Sequence, residues 1–137
     1  MNKKNFSENF DLSSYTTIKV GGVAEYFAEP RNINEFSYLI KWANLNEQKC
    51  QIIGAGSNLL INNIFIKGLV ICTKKMKSLT IEPYSGIVEA EAGVMLPTLS
   101  NALAKNGLQG GEWAVGIPGT LGAVSYTHLT LPTKRIV

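Results

Sequence analysis

The segment Cys50-Gln51-Ile52-Ile53-Gly54-Ala55-Gly56-Ser57-Asn58-Leu59 decides how this chain is read. Four residues with the length and apolar character of a buried strand stop abruptly at a glycine loop, and open α/β sheets place their ligand loops at the carboxyl ends of such strands. Glycine lets the backbone take positive φ, and successive main-chain N–H groups can then converge on an anion such as a pyrophosphate. Ser57 and Asn58 add short side chains able to donate to phosphate oxygens. The loop misses the known phosphate fingerprints. Leu59 stands at the sixth position of GxGxxG, lysines stand about 20 residues on where a ribose-binding acid belongs, and the Walker pattern is absent. On spacing alone, a structural turn and a phosphate cradle both remain open.

Working outward, Ala24-Glu25-Tyr26-Phe27-Ala28 reads as a strand that stops at Glu29-Pro30, preceded by a short strand Ile18–Val20 and a tight Gly21-Gly22 connection. Asn32 is a candidate helix N-cap with Glu35 three positions on. Phe36, Leu39, Ile40 and Ala43 repeat at the spacing of an amphipathic helix. Gly68-Leu69-Val70-Ile71-Cys72 supplies a further apolar strand. The order β, α, β, glycine loop, β describes a small α/β lobe over residues 16–78, and residues 1–15, being polar, read as an N-terminal arm. Lys74, Lys75 and Lys77 form a basic linker. Beyond it, Thr80-Ile81-Glu82 and Ile87–Ala92 flank Pro83-Tyr84-Ser85-Gly86 as a hairpin. A helix then starts at Pro97, shows Leu99 and Leu103 on one face, and stops at Asn106-Gly107. Residues 79–122 are thus a second lobe, which reads as incomplete.

The bulk numbers exclude whole classes. In 137 residues, 45% are hydrophobic and 17% charged, so the chain is neither disordered nor collagen-like. The net charge of +3 is too small to point to nucleic acid, and two of the basic residues, Lys134 and Arg135, fall in the C-terminal stretch set aside below. The two cysteines, Cys50 and Cys72, fall in segments read as buried strands, without CxxC spacing and with His128 as the single histidine, so neither a metal site nor a disulfide framework is expected. No apolar run reaches the length of a membrane span and no signal-peptide core follows Lys3-Lys4, which points to a cytoplasmic protein without a membrane partner.

A second glycine cluster, Gly110-Gly111-Glu112-Trp113-Ala114-Val115-Gly116-Ile117-Pro118-Gly119-Thr120-Leu121-Gly122, is too poor in charge for a solvated loop and requires backbone to pass close to something. Either it is a buried connection with Trp113 in the core, or a surface that takes a flat ligand against main chain. Together with Thr16–Gly22 and Ile53–Leu60, the stretch Glu112–Gly122 resembles the N-terminal part of the UDP-N-acetylenolpyruvoylglucosamine reductases, also called UDP-N-acetylmuramate dehydrogenases, flavoenzymes of bacterial peptidoglycan synthesis. The resemblance implies an FAD-binding domain of the PCMH or vanillyl-alcohol-oxidase type, α/β (α+β) in class, with the cofactor between two small lobes. It implies that Gly54, Ala55, Gly56, Ser57, Asn58 and Leu59 hold the pyrophosphate and that Gly116, Ile117, Pro118, Gly119, Thr120 and Gly122 contact the flavin. It also implies NADPH as hydride donor and a nucleotide-sugar substrate. The family's catalytic arginine, serine and glutamate are expected beyond the last residue here, so no catalytic residue is assigned and the chain alone is expected to be inactive.

From Ala123 to Val137 the sequence departs from the family pattern and reads as the translation of a sequencing-library adapter, which removes His128 from consideration. Other classes stand as alternatives. One is a different FAD oxidoreductase of the same fold, disfavoured because such enzymes often tether flavin through histidine or cysteine and the only histidine, His128, lies in the stretch set aside. The other is a non-enzymatic α/β interaction module in which both glycine clusters are turns.

Overall fold

The computed structural model describes residues 6–15, 22–54, 65–116 and 119–122. The expected strand Ile18–Val20, the loop residues Ala55–Leu59, the pair Ile117 and Pro118, and residues 123–137 lie outside the described set. The chain divides into two compact units, Met1–Met76 and Lys77–Val137, and its class is α+β.

The first unit is a four-stranded mixed sheet of β1 (Ser7–Asp11), β2 (Val23–Ala28), β3 (Cys50–Ile53) and β4 (Phe65–Cys72), in the order β1-β2-β4-β3. The β1–β2 pair is antiparallel, whereas β2 and β3 both run parallel to β4. Helix α1 (Ile33–Leu45) covers one face, where Leu39 and Ala43 pack on Ala28, Leu69 and Ile71. On the other face Leu12, Ala24, Phe27, Ile66, Val70 and Cys72 form a second core layer. Strand β4 is central and buried on both sides, which is why Leu69-Val70-Ile71-Cys72 is uninterruptedly apolar.

Three local devices fix this unit. The Asn32 side chain accepts from Glu35 N–H at 2.9 Å, while the Glu35 carboxylate reaches back to Arg31 N–H at 2.8 Å, a capping box displaced by one residue at its return bond. Pairing of β2 with β4 slips between Ala24 and Tyr26, opposite Gly68, whose φ is +96. The Glu25 carboxylate accepts the N–H of Gly68 at 2.7 Å, and a Cβ on Gly68 would overlap the Lys49 carbonyl oxygen. Finally, Phe10 stacks on Phe27 with ring centroids 4.2 Å apart, tying β1 to the sheet.

Two expectations are corrected here. The segment read as a polar arm contains β1, a strand held by β2. Residues Cys50 to Ile53 do form a strand, but β3 lies at the sheet edge, so Cys50 is exposed and Ile52 keeps 56% of its surface in solvent. A four-residue apolar run carries no sign that separates edge from centre. Cys72, on the central strand, is buried.

The second unit has the expected hairpin, β5 (Leu79–Glu82) and β6 (Ile87–Ala90), turning at Gly86 with φ +74. Helix α2 (Leu96–Lys105) carries Pro97 in its first turn. Its Leu99 and Leu103 pack with Val94 and Leu108 against Leu79, Ile81, Val88 and Ala90 of the hairpin. Leu108 N–H bonds Leu103 O at 2.9 Å and Gly107 N–H bonds Ala104 O at 3.1 Å, a Schellman ending. Among the described residues no helix is long and apolar enough to cross a membrane.

Candidate cofactor site

At the carboxyl end of β3, Gly54 is the one residue of the first glycine loop within the described set, and it is half-buried. The neighbouring end of β4 holds it. The Ile53 carbonyl accepts from Thr73 N–H at 2.9 Å and from the Thr73 hydroxyl at 3.3 Å, and the Gly54 carbonyl accepts from the Cys72 thiol at 3.4 Å. Burial pushes the Cys72 thiol up from its ordinary pKa, which keeps the proton on sulfur and available for donation. The sequence reading assigned Cys72 and Thr73 no part in this loop, because their relation to it arises from the β3–β4 register and not from any motif.

At the same end of the sheet, the Tyr15 hydroxyl donates to the Glu29 carboxylate, and Lys75 Nζ stands 3.7 Å from Glu29. Burial, followed by the hydrogen bond and the negative charge of Glu29, pushes the Tyr15 phenol up to about 12. Lys75 remains exposed, as a linker lysine should, and adds this ion pair to Glu29.

The second glycine cluster separates into glycines the chain itself requires and features it leaves unexplained. A Cβ on Gly111 would stand 2.5 Å from Leu103 Cδ1, the end of a flexible side chain on α2 that would have to shift to admit it. Gly119 has φ +134, and a Cβ on Gly122 would lie 2.6 Å from Ala92 Cβ. The stretch 119–122 is laid against 92–96 by an isolated antiparallel bridge, Met95 to Thr120. Hydrogen bonds support it: Leu96 N–H to Gly119 O at 3.1 Å, Leu121 N–H to Val94 O at 2.8 Å and Gly122 N–H to Ala92 O at 3.0 Å. Glu112 accepts the N–H of Gly110 at 2.9 Å.

Two features remain. Gly116 is exposed, has no positive φ, and a Cβ there would meet nothing within 4 Å. Neither backbone conformation nor packing against the described residues asks for glycine at that position. Thr120 is fully buried, yet its hydroxyl has no hydrogen-bond partner among the described residues. A buried hydroxyl left in this condition costs about 1–3 kcal/mol, so such groups are normally satisfied by something. Among the described residues no cluster of three or more His, Cys, Asp or Glu side chains could hold a metal ion.

The sequence profile of the FAD binding domain family matches residues 24–131. The UDP-N-acetylenolpyruvoylglucosamine reductase of Prochlorococcus marinus subsp. pastoris is 74% identical over 117 residues, 85% of this chain and 40% of the relative; that of Prochlorococcus marinus strain NATL2A is 50% identical over 122 residues, covering 89% and 42%. The chain therefore spans about two fifths of the length of the curated relatives it matches. Among solved structures, UDP-N-acetylenolpyruvylglucosamine reductase from Thermus caldophilus superposes with a TM-score of 0.58 at 32% identity, over 81% of this chain and 38% of that one. 6-Hydroxy-D-nicotine oxidase from Arthrobacter nicotinovorans gives the same score at 18% identity, over 76% of this chain and 23% of its own, a likeness of fold alone.

Proposed function

The chain belongs to the FAD binding domain family, and from that membership we propose that it is the FAD-holding part of a cytoplasmic, NADPH-dependent reductase acting on UDP-N-acetylenolpyruvoylglucosamine in peptidoglycan synthesis. The role proposed for these residues is cofactor retention rather than contact with the sugar nucleotide. When bound, FAD would supply hydride transfer, taken from NADPH and delivered to the enolpyruvyl double bond. Gly54, Ala55, Gly56, Ser57, Asn58 and Leu59 hold the diphosphate through main-chain N–H groups in this reading, and Gly116, Ile117, Pro118, Gly119, Thr120 and Gly122 lie against the flavin.

The observation that carries it is the buried, unpartnered hydroxyl of Thr120. A hydroxyl both donates and accepts, which suits an isoalloxazine edge that presents carbonyl oxygens and ring nitrogens. Gly116 supports the same reading, since bare main chain at an open position lets a planar ring approach closely.

Titration of the full chain with FAD, followed by quenching of flavin fluorescence and by the visible band retained on gel filtration, is expected to show saturable binding. Gly116→Leu is the decisive variant. Its side chain enters open space, so the melting temperature of the ligand-free protein is expected to stay within a degree or so of wild type, the usual outcome for a surface substitution. Its FAD affinity is expected to fall by roughly tenfold or more, equivalent to ~1.4 kcal/mol. A wild-type chain that neither quenches nor retains flavin overturns the proposal, as does a Gly116→Leu variant that binds FAD unchanged.

A further inference from the structure

Two consecutive carbonyls, of Ile53 and Gly54, are both met from the end of β4. Thr73 supplies a main-chain N–H and a hydroxyl to the first, and Cys72 supplies a thiol to the second. Along a straight strand consecutive carbonyls point to opposite edges. Here both turn to one neighbour, so the backbone has left the strand direction at Gly54, and side chains of β4 hold it there. The Thr73 N–H bond is ordinary parallel pairing; the hydroxyl and the thiol are additional to it. Both donors are well placed to persist, because Thr73 and Cys72 are 4% and 0% exposed and compete little with water.

Peptide geometry gives this anchoring a direction. The Ile53–Gly54 peptide is planar and trans, so the N–H of Gly54 points opposite to the Ile53 carbonyl. Fixing that carbonyl toward β4 aims the Gly54 N–H away from β4, to the side of β3 on which no strand pairs among the described residues. A main-chain N–H held outward at a strand end is the kind of donor that binds an anion.

We propose that Cys72 and Thr73 are positioning residues for the glycine loop: their thiol and hydroxyl fix the Gly54 and Ile53 carbonyls and thereby present the Gly54 N–H to the diphosphate of the cofactor. This rests on the FAD reading above. It adds to that reading two residues that touch no ligand, and it makes the phosphate-binding geometry depend on side chains of the adjacent strand.

The test uses the full chain with FAD and, separately, ADP as a probe carrying the diphosphate without the flavin. Thr73→Val and Cys72→Ala each remove one donor and keep the β3–β4 pairing. Each is expected to raise the dissociation constants of both ligands about three- to tenfold, the loss of a hydrogen bond's net contribution. Thr73→Ser and Cys72→Ser restore a hydroxyl donor and are expected to bind within about twofold of wild type, a difference too small to represent a lost bond. Ile40→Ala, in the α1 face of the same unit, supplies the control for general destabilisation: its melting temperature falls while its affinity for FAD and ADP stays at the wild-type value.

Unchanged constants in Thr73→Val and Cys72→Ala overturn the positioning role and leave the FAD reading standing. An Ile40→Ala variant that loses affinity as much as they do also overturns it, because the effect is then one of stability. If the wild-type chain binds neither FAD nor ADP, both fall. Should Thr73→Val not fold, Cys72→Ala against Cys72→Ser decides alone.

Discussion

Glu47 and Gly107 occupy the same position, the residue after the C-cap of a helix, and both have left-handed backbone, φ +52 and φ +69. Around Glu47 the bonds repeat those around Gly107: Gln48 N–H to Ala43 O at 2.8 Å and Glu47 N–H to Asn44 O at 3.3 Å. Glycine adopts this conformation freely, whereas a residue with a Cβ pays a steric penalty there. Glu47→Gly is therefore expected to stabilise the chain by about 0.5–1 kcal/mol, and Gly107→Ala, whose Cβ would enter open space, to destabilise it by a similar amount through φ alone. Thermal melts of the two variants read the opposite signs. This pair also shows what the sequence discloses at the scale of single residues. Gly107 announces its helix end, whereas Glu47 is a helix former standing in a glycine's place, and the end of α1 had no signal of its own.

At the scale of elements, α1, α2 and the β5–β6 hairpin were legible because each carries its own periodicity, and α2 and the hairpin also carry their own glycine stops. β1 was not. Ser7-Glu8-Asn9-Phe10-Asp11 is largely exposed, and its strand character comes from β2, through Phe10 on Phe27 and the antiparallel pairing. Context of that kind is nonlocal and leaves no mark on five residues read alone. The turn that follows, Ser13–Tyr15, matters for the pH response of the element. Its Tyr15 ionises near 10 when unfolded and near 12 in place. The folded form thus favours the protonated phenol: this contribution is fully present below about pH 10 and is lost as pH rises through 12. Melting temperatures followed from pH 8 to 12 are expected to fall less steeply in Tyr15→Phe than in wild type, and equal slopes would remove Tyr15 from the account.

At the scale of the whole molecule, each unit has a core of its own, one built on both faces of the four-stranded sheet and one between hairpin and α2. The fold class and the relation to flavoproteins were readable from the three motifs, since close backbone approach leaves glycines in the sequence. What could not be read is which glycines serve the chain and which serve a ligand. Packing against Ala92 accounts for Gly122 and a left-handed backbone for Gly119, while Gly116 answers to neither. Thr120 gives the corresponding global test. Val is nearly isosteric, so Thr120→Val removes a buried hydroxyl without creating a void, and the ligand-free chain is expected to melt higher, by the equivalent of about 1 kcal/mol or more. FAD stabilises whatever form it binds, and the variant that loses a bond to it gains less. The melting order of wild type and Thr120→Val is therefore expected to narrow or invert as FAD is added. A constant gap at all FAD concentrations would separate Thr120 from the cofactor.

The placement of β3 at the rim of its sheet leaves the chain's two sulfhydryls unequal, Cys50 accessible and Cys72 enclosed. Burial raises the Cys50 pKa as well, so alkylation calls for a mildly alkaline buffer. Under those conditions a maleimide dye is expected to attach selectively at Cys50, four positions before Gly54, so that its emission tests the proposed capture of FAD with no engineered handle.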